Sequence, residues 1–329
     1  MTGGIGSADF DFDFDFDFDF DFDFSTGASS SGRSGVFRPI GVSPALATVP
    51  DHNGVMEDWY HGYKWPPADF ASQWINAQPT VFPPKYWDGK LFALTILSEF
   101  VRVTDTATGN TLWDQFHNEL AAFLPANAAA FDKELKEVVT LIEYRSGVMA
   151  EALAQRTNPW AWFRGILMCN SKSAPLTHQL VTIANVVGQF VVMHYKMDFK
   201  RARPSQYSPA LLPPIEVPGH ASFPSGHATE AYLIALILAA VMPAAASAPS
   251  PLTTGPAPDN PPPPNPGRSP LQQMAARIAR NREVLGLHFP SDSKAGRQLA
   301  IRIFDILQQC PSIPGLITQA KDEWKSPAY

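Results

Sequence analysis

Apolar residues run along this chain in two distinct rhythms. In 132–155 they recur at Leu135, Val138, Val139 and Ile142, the spacing that puts one stripe on a helix, and a shorter segment over 90–103 reads the same way. In 177–198 and 228–242 they go nearly all round, which predicts helices enclosed by other helices. The second of these begins with a polar turn and falls short of the roughly twenty residues a bilayer crossing needs, so a buried helix is expected and no membrane span. Two further helices are expected over 271–286 and 291–309. No alternating pattern of comparable strength predicts a strand, and the expected fold is all-α, a helical bundle.

The rest of the chain has a different composition. Residues 1–36 hold eight Asp-Phe pairs and then a Ser/Gly-rich stretch, with little that can be buried, and a disordered low-complexity tail is expected. On a strand the same alternation would put every Phe on one face, so self-association into a homo-oligomer is the competing expectation. Residues 37–86 are rich in Pro, Trp and Gly without a period and read as an irregular wrap over the core. Within a single helical domain over 37–329, the segment 243–270, with its run PDNPPPPNPG, reads as a Pro-rich surface loop.

Charge and cysteine narrow the function. Without the eight aspartates of the tail the formal charge is +2 rather than −6, a nearly neutral body that argues against a nucleic-acid partner. Cys169 and Cys310 stand far apart, with no CxxC and no zinc spacing, and are expected to be free thiols. The chain opens on glycine and acid rather than on a basic patch before an apolar run, so no secretory signal is expected and the cytoplasm is the expected location.

Three clusters in the carboxyl half carry candidate chemistry. Lys196 sits in the last turn of the core helix, and Arg203-Pro204 follows where proline keeps the helix from continuing, which lets two cations face one pocket. Pro224-Ser225-Gly226-His227 precedes the apolar helix. Ser225 can cap that helix, Gly226 admits a ligand close to the backbone, and the helix dipole favours an anion there. Asn281-Arg282, then His288, then Asp292 make the third cluster. Arg282 offers a planar fork for an oxyanion, and Asp292 can accept from one nitrogen of His288 and fix its tautomer. Each cluster alone fits a helix end or an ordinary surface; the three in order point to a bound oxyanion.

In that order, KMDFKRARP, FPSGH and NREVLGLHFPSD resemble the superfamily of type 2 phosphatidic acid phosphatases, bacterial acid phosphatases and vanadium-dependent haloperoxidases. Its pattern is KxxxxxxRP, PSGH and SRxxxxxHxxxD, and Asn281 stands where the serine is usual. The resemblance covers about a third of the chain, roughly 196–292. It implies a helical bundle in which Lys196, Arg203, Arg282, Ser225 and the Gly226 amide hold phosphate or vanadate, with His288, His227 and Asp292 catalytic.

Two reactions follow from the resemblance. In a haloperoxidase His288 binds vanadium, vanadate is the cofactor, and halide and hydrogen peroxide are the substrates. In a phosphatase, which needs no cofactor, His288 attacks the phosphorus of a phosphomonoester and His227 protonates the departing alkoxide. His220 stands where the resemblance places a histidine in bromoperoxidases, which makes it the candidate halide or substrate residue and favours the haloperoxidase. Met193 departs from that pattern, since haloperoxidases usually carry tryptophan there. A third expectation, from another class, is a non-catalytic self-associating protein that works through its Asp-Phe tail.

Overall fold

The computed structural model describes residues 87–156, 159–242 and 269–325, all within one of the chain's two compact units. The expectations for the tail, for the wrap over 37–86 and for the Pro-rich loop up to residue 268 therefore lie outside the described residues. Those described form helices and no strand, with one isolated bridge between Thr104 and Thr111.

The helices are α1 (Gly89–Phe100), α2 (His117–Ala121), α3 (Ala128–Thr140), α4 (Arg145–Ala154), α5 (Pro159–Leu167), α6 (Pro175–Phe199), α7 (Pro204–Tyr207), α8 (Gly226–Val241), α9 (Pro270–Val284), α10 (Pro290–Leu307) and α11 (Ile313–Asp322). The single helix expected over 132–155 is interrupted by a 3-10 turn at Leu141–Tyr144. Beyond that turn, Arg145 donates to the carbonyls of Val284 (2.9 Å), Leu212 (2.9 Å) and Leu285 (3.3 Å). An unbroken helix would fix its side chain by the phase of α3; the turn resets that phase, and the guanidinium closes the carboxyl end of α9.

At the centre stands α8, packed most extensively against α10 and then against α9 and α6. Its apolar surround is satisfied on every side, with Leu233, Ile234, Ile237 and Leu238 all within the main core. α6 approaches closely at Gly188, where an added Cβ would stand 3.4 Å from the end of the Leu233 side chain, at van der Waals contact. Truncating Leu233 to alanine would cost roughly 2–5 kcal/mol through the cavity it leaves. By length and apolarity α6 is the one described helix that could cross a bilayer; two-thirds of its most apolar window is buried here against its neighbours.

Helix ends set the site. Lys200, in the left-handed conformation (φ 51), ends α6, and Pro204 at the first position begins α7. The helix expected over 177–198 thus ends one residue beyond its expected end, and Pro204, expected to keep that helix from continuing, starts a new short one. Ser225 caps α8 through the amide of Ala228 (3.4 Å). Gly286 (φ +75) follows the end of α9, a backbone that L side chains resist, and turns the chain so that His288 faces the core. Asp292, in the first turn of α10, accepts from the amide of Phe289 (2.9 Å).

Candidate active site

Six of the residues singled out above, Arg203, His220, Gly226, His227, Arg282 and His288, line one pocket together with Pro218. The cavity between them is tight, about 10 Å³ on the scale where a single water needs roughly 10–15 Å³. Three candidates stand outside its wall. Ser225 lies beneath as the helix cap, and Asp292 stands behind His288. Lys196 borders an adjoining basin and donates through Nζ to the carbonyls of Ala221 (2.7 Å) and Ser222 (3.2 Å).

Hydrogen-bond direction fixes the tautomer of His288. Asp292 Oδ2 lies 3.2 Å from Nδ1 and, as a carboxylate, accepts; Arg203 Nη1 lies 3.1 Å from Nε2 and donates. The ring is therefore neutral, with its proton on Nδ1 and a lone pair on Nε2. Burial, then the charges of Arg203, Lys196 and Arg282, hold its pKa well below the ordinary 6.5, so Asp292 is bound by a hydrogen bond rather than an ion pair.

Arg203 is spent in four directions. It also donates to the carbonyls of Leu287 (2.9 Å) and His220 (3.0 Å) and, through Nη2, to His220 Nδ1 (3.0 Å). Since a guanidinium cannot accept, His220 Nδ1 carries no proton, and the Ala221 carbonyl 3.2 Å from it is a neighbour rather than an acceptor. Burial lowers the Arg203 pKa to about 10, which leaves it charged at neutral pH. On His227, Nε2 donates to the Arg156 carbonyl at 3.0 Å. Burial, then Arg282, keeps this imidazole neutral too. Lys196 is pushed well below its usual range by burial and by Arg203, against the pull of Asp292.

Several residues of the site carried no motif. Arg201 donates to Asp292 Oδ1 (2.6 Å) and Ser291 Oγ (2.6 Å), and its other nitrogen pairs with Glu134 (2.8 Å) while the guanidinium lies over the Phe289 ring. Ser222 donates to Asp292 Oδ2. Asp292 thus has both oxygens engaged and is wholly buried. Gly296 is the other omission, for a Cβ there would come within 2.6 Å of the Ser225 carbonyl, so α10 can approach the start of α8 only without one. A lone glycine inside an otherwise amphipathic segment was its one signal in the sequence. Asn281 donates to Glu151 (3.0 Å) and Gln155 (2.7 Å) on the side of α4, and it is not among the residues that line the pocket.

Among the described residues no three of His, Cys, Asp and Glu cluster in a way that could hold a metal ion. An oxyanion held by one imidazole and a ring of cations requires no such cluster. Cys169 and Cys310 are both free and buried. Comparison with protein-family models and with curated proteins gives no match.

Proposed function

We propose that this pocket binds vanadate against Nε2 of His288 and that the protein is a vanadium-dependent haloperoxidase of the helical-bundle type. The observation that carries the reading is the lone pair on Nε2, aimed into a pocket that also holds Arg203, Arg282 and Gly226, with Asp292 securing the opposite ring nitrogen. That donor set fits vanadate: one neutral imidazole nitrogen for the metal and guanidinium forks for its oxygens. When bound, vanadate supplies the Lewis acid that activates peroxide toward halide.

The chain's own residues do the rest. To admit an oxyanion, Arg203 gives up its contact with His288 Nε2, which the tightness of the cavity also demands. Released, its fork turns to the anion's oxygens, and Arg282 meets them from α9. Negative charge in the pocket then raises the proton affinity of His227, which can deliver a proton to a departing oxygen. The location of His220 in the same pocket, with Nδ1 already engaged by Arg203, supports the halide-oxidising reading.

Hydrolysis of a phosphomonoester is the second reading, supported by the same Nε2 lone pair, which is the form a histidine needs to attack phosphorus. Orthovanadate added to the purified protein separates the two. A haloperoxidase gains bromide oxidation with hydrogen peroxide, whereas a phosphatase hydrolyses an aryl phosphate and loses that activity to vanadate. Absence of both activities would sink the enzyme reading and leave the self-associating protein.

A further inference from the structure

Helix α4 holds none of the residues picked out by the three sequence clusters, yet it meets the pocket's supports at both of its ends. At its start, Arg145 reaches two segments far apart in the chain. Nε and Nη2 donate to the carbonyls of Val284 (2.9 Å) and Leu285 (3.3 Å), and Nη1 donates to that of Leu212 (2.9 Å). Just past its other end, the Arg156 carbonyl accepts from His227 Nε2 at 3.0 Å, and Glu151 and Gln155 hold Asn281, the neighbour of Arg282.

The two segments that Arg145 bridges lead into different walls of the tight pocket. From Leu212 the chain runs on to Pro218 and His220, and from Leu285 it runs on to His288. Between these points Ile215 and Val217 pack against Leu285 and Leu287, together with Met149 and Ala152 of α4. A guanidinium suits the bridging position, because its planar fork serves several carbonyls at once and its charge meets the negative end of α9. Gly286 leaves room for it, since a Cβ there would stand 3.0 Å from Nη2.

Arg203 ties the same two walls from inside the pocket, through the carbonyls of His220 and Leu287 and through His288 Nε2. An entering oxyanion takes the last of these contacts, so the inner tie loosens at the moment when the spacing of the walls matters most. The outer tie touches no ligand and is untouched by this exchange. We propose that Arg145 is a positioning residue for the oxyanion pocket, holding the His220 wall and the His288 wall at one spacing while Arg203 turns from His288 to the anion. The bridge itself rests on the hydrogen bonds of Arg145; its role in anion binding rests on the oxyanion reading of the pocket.

The test uses the full chain and separates the bridge from charge and from stability. Arg145→Lys keeps a cation at the end of α9, but a single nitrogen cannot serve both walls. Leu316→Ala removes a buried side chain from α11, which contributes no residue to the pocket, and so supplies a variant destabilised elsewhere. Hydrogen exchange in the anion-free protein is followed at the amides of Leu212, Gly286 and Leu287, which donate to the carbonyls of Pro209, Glu283 and Arg282. Measured relative to amides in the middle of α10, it is expected to rise about tenfold or more in Arg145→Lys and to stay at the parent's ratio in Leu316→Ala. The calorimetric Kd for orthovanadate rises about tenfold or more in Arg145→Lys, as preorganisation of the walls is lost, and is unchanged in Leu316→Ala. Exchange that does not rise in Arg145→Lys overturns the bridge. An unchanged Kd, or an equal weakening in Leu316→Ala, overturns the positioning role. Faster exchange in Arg145→Lys, with a parent that binds no orthovanadate, leaves the bridge standing and removes the oxyanion reading together with the positioning role.

Discussion

Replacing Asp292 by asparagine changes one atom and tests the tautomer argument directly. Oδ2 accepts from His288 Nδ1, Ser222 and the Phe289 amide, and Oδ1 accepts from Arg201. An amide has one accepting oxygen, so it serves only one side. Turned toward Arg201, its NH2 faces the Phe289 amide donor and the Nδ1 proton, and His288 relieves the clash by moving its proton to Nε2. The lone pair then leaves the pocket. Turned the other way, the NH2 confronts the guanidinium of Arg201, which is almost fully buried. Breaking a buried pair costs roughly 3–5 kcal/mol, and Arg201 keeps Glu134 and Ser291, so about 3 kcal/mol is expected. At about 2–4 °C per kcal/mol for a domain of this size, Tm falls by about 6–12 °C. Turnover falls by about 10²–10⁴, since a nitrogen that must bind vanadate or attack phosphorus through its lone pair has to pay first for the rarer tautomer. Thermal unfolding followed by circular dichroism, with orthovanadate binding by calorimetry, measures both. A variant whose Tm stays within about 1 °C of the parent and which binds vanadate as before would refute the reasoning.

Four other outcomes are expected. His288→Ala abolishes turnover while leaving the fold intact, and near-normal activity in a folded variant would contradict the role given to Nε2. Gly296→Ala drives a Cβ against the Ser225 carbonyl and lowers stability by roughly 1–3 kcal/mol, together with a weaker anion affinity as the start of α8 shifts; unchanged affinity would mean the approach of α10 does not shape the pocket. Because His227 and His288 are held neutral well below their ordinary 6.5, the unfolded chain takes up protons that the folded chain refuses. The anion-free protein should therefore lose up to about 1.4 kcal/mol per pH unit for each imidazole as pH falls below that value, with no such loss above it; a flat profile in urea melts from pH 7 to 5 would contradict this. Glu230, buried on α8 with neither carboxyl oxygen hydrogen-bonded, is raised to about 8 by burial against the pull of Arg282, so its contribution is lost as pH rises from 4.5 toward 8. Glu230→Gln removes that loss and should raise Tm by at least about 3 °C at pH 8 but not at pH 4; equal shifts at the two pH values would contradict the assignment.

Much of the helical content was legible because burial leaves a period. The apolar surround of 228–242 announced a buried helix, though the central place was expected for 177–198 and is taken by α8, and the expected boundaries of α1, α6, α9 and α10 fall within a few residues of those observed. Short helices were harder to see. The four residues of α7 and five of α2 are too few for a period to emerge, and α5, rich in Trp, Phe and Pro, reads as irregular text. The break before Arg145 was invisible because its cause is distant in sequence: the guanidinium answers to carbonyls at residues 212, 284 and 285.

The site divides along the same line. Residues that meet the pocket directly were found through their spacing in three clusters, since helix ends are where cations, caps and glycines carry chemical meaning. Of the residues that hold those groups in place, Asp292 and Ser225 were found through the same clusters, while Arg201, Ser222, Glu134 and Gly296 were missed because they act through a partner and stand in no such pattern. The structure shows why they matter for charge. Lys196, Arg203 and Arg282 are all buried near one another, with Asp292 the only carboxylate bonded to His288 among the described residues. Arg201, itself shared with Glu134, pairs with that carboxylate from outside, leaving its pull too weak to neutralise three cations. Burial first, and after it the charges of neighbouring cations, lowers the proton affinity of Lys196 and of both imidazoles. An oxyanion relieves this strain, so its binding should draw in protons as well as ordering the forks, and calorimetric titration with orthovanadate in buffers of different ionisation enthalpy should report net proton uptake. Binding with no proton change would mean that the cations are compensated by some other charge, and that anion recognition here rests on geometry rather than on an unbalanced field.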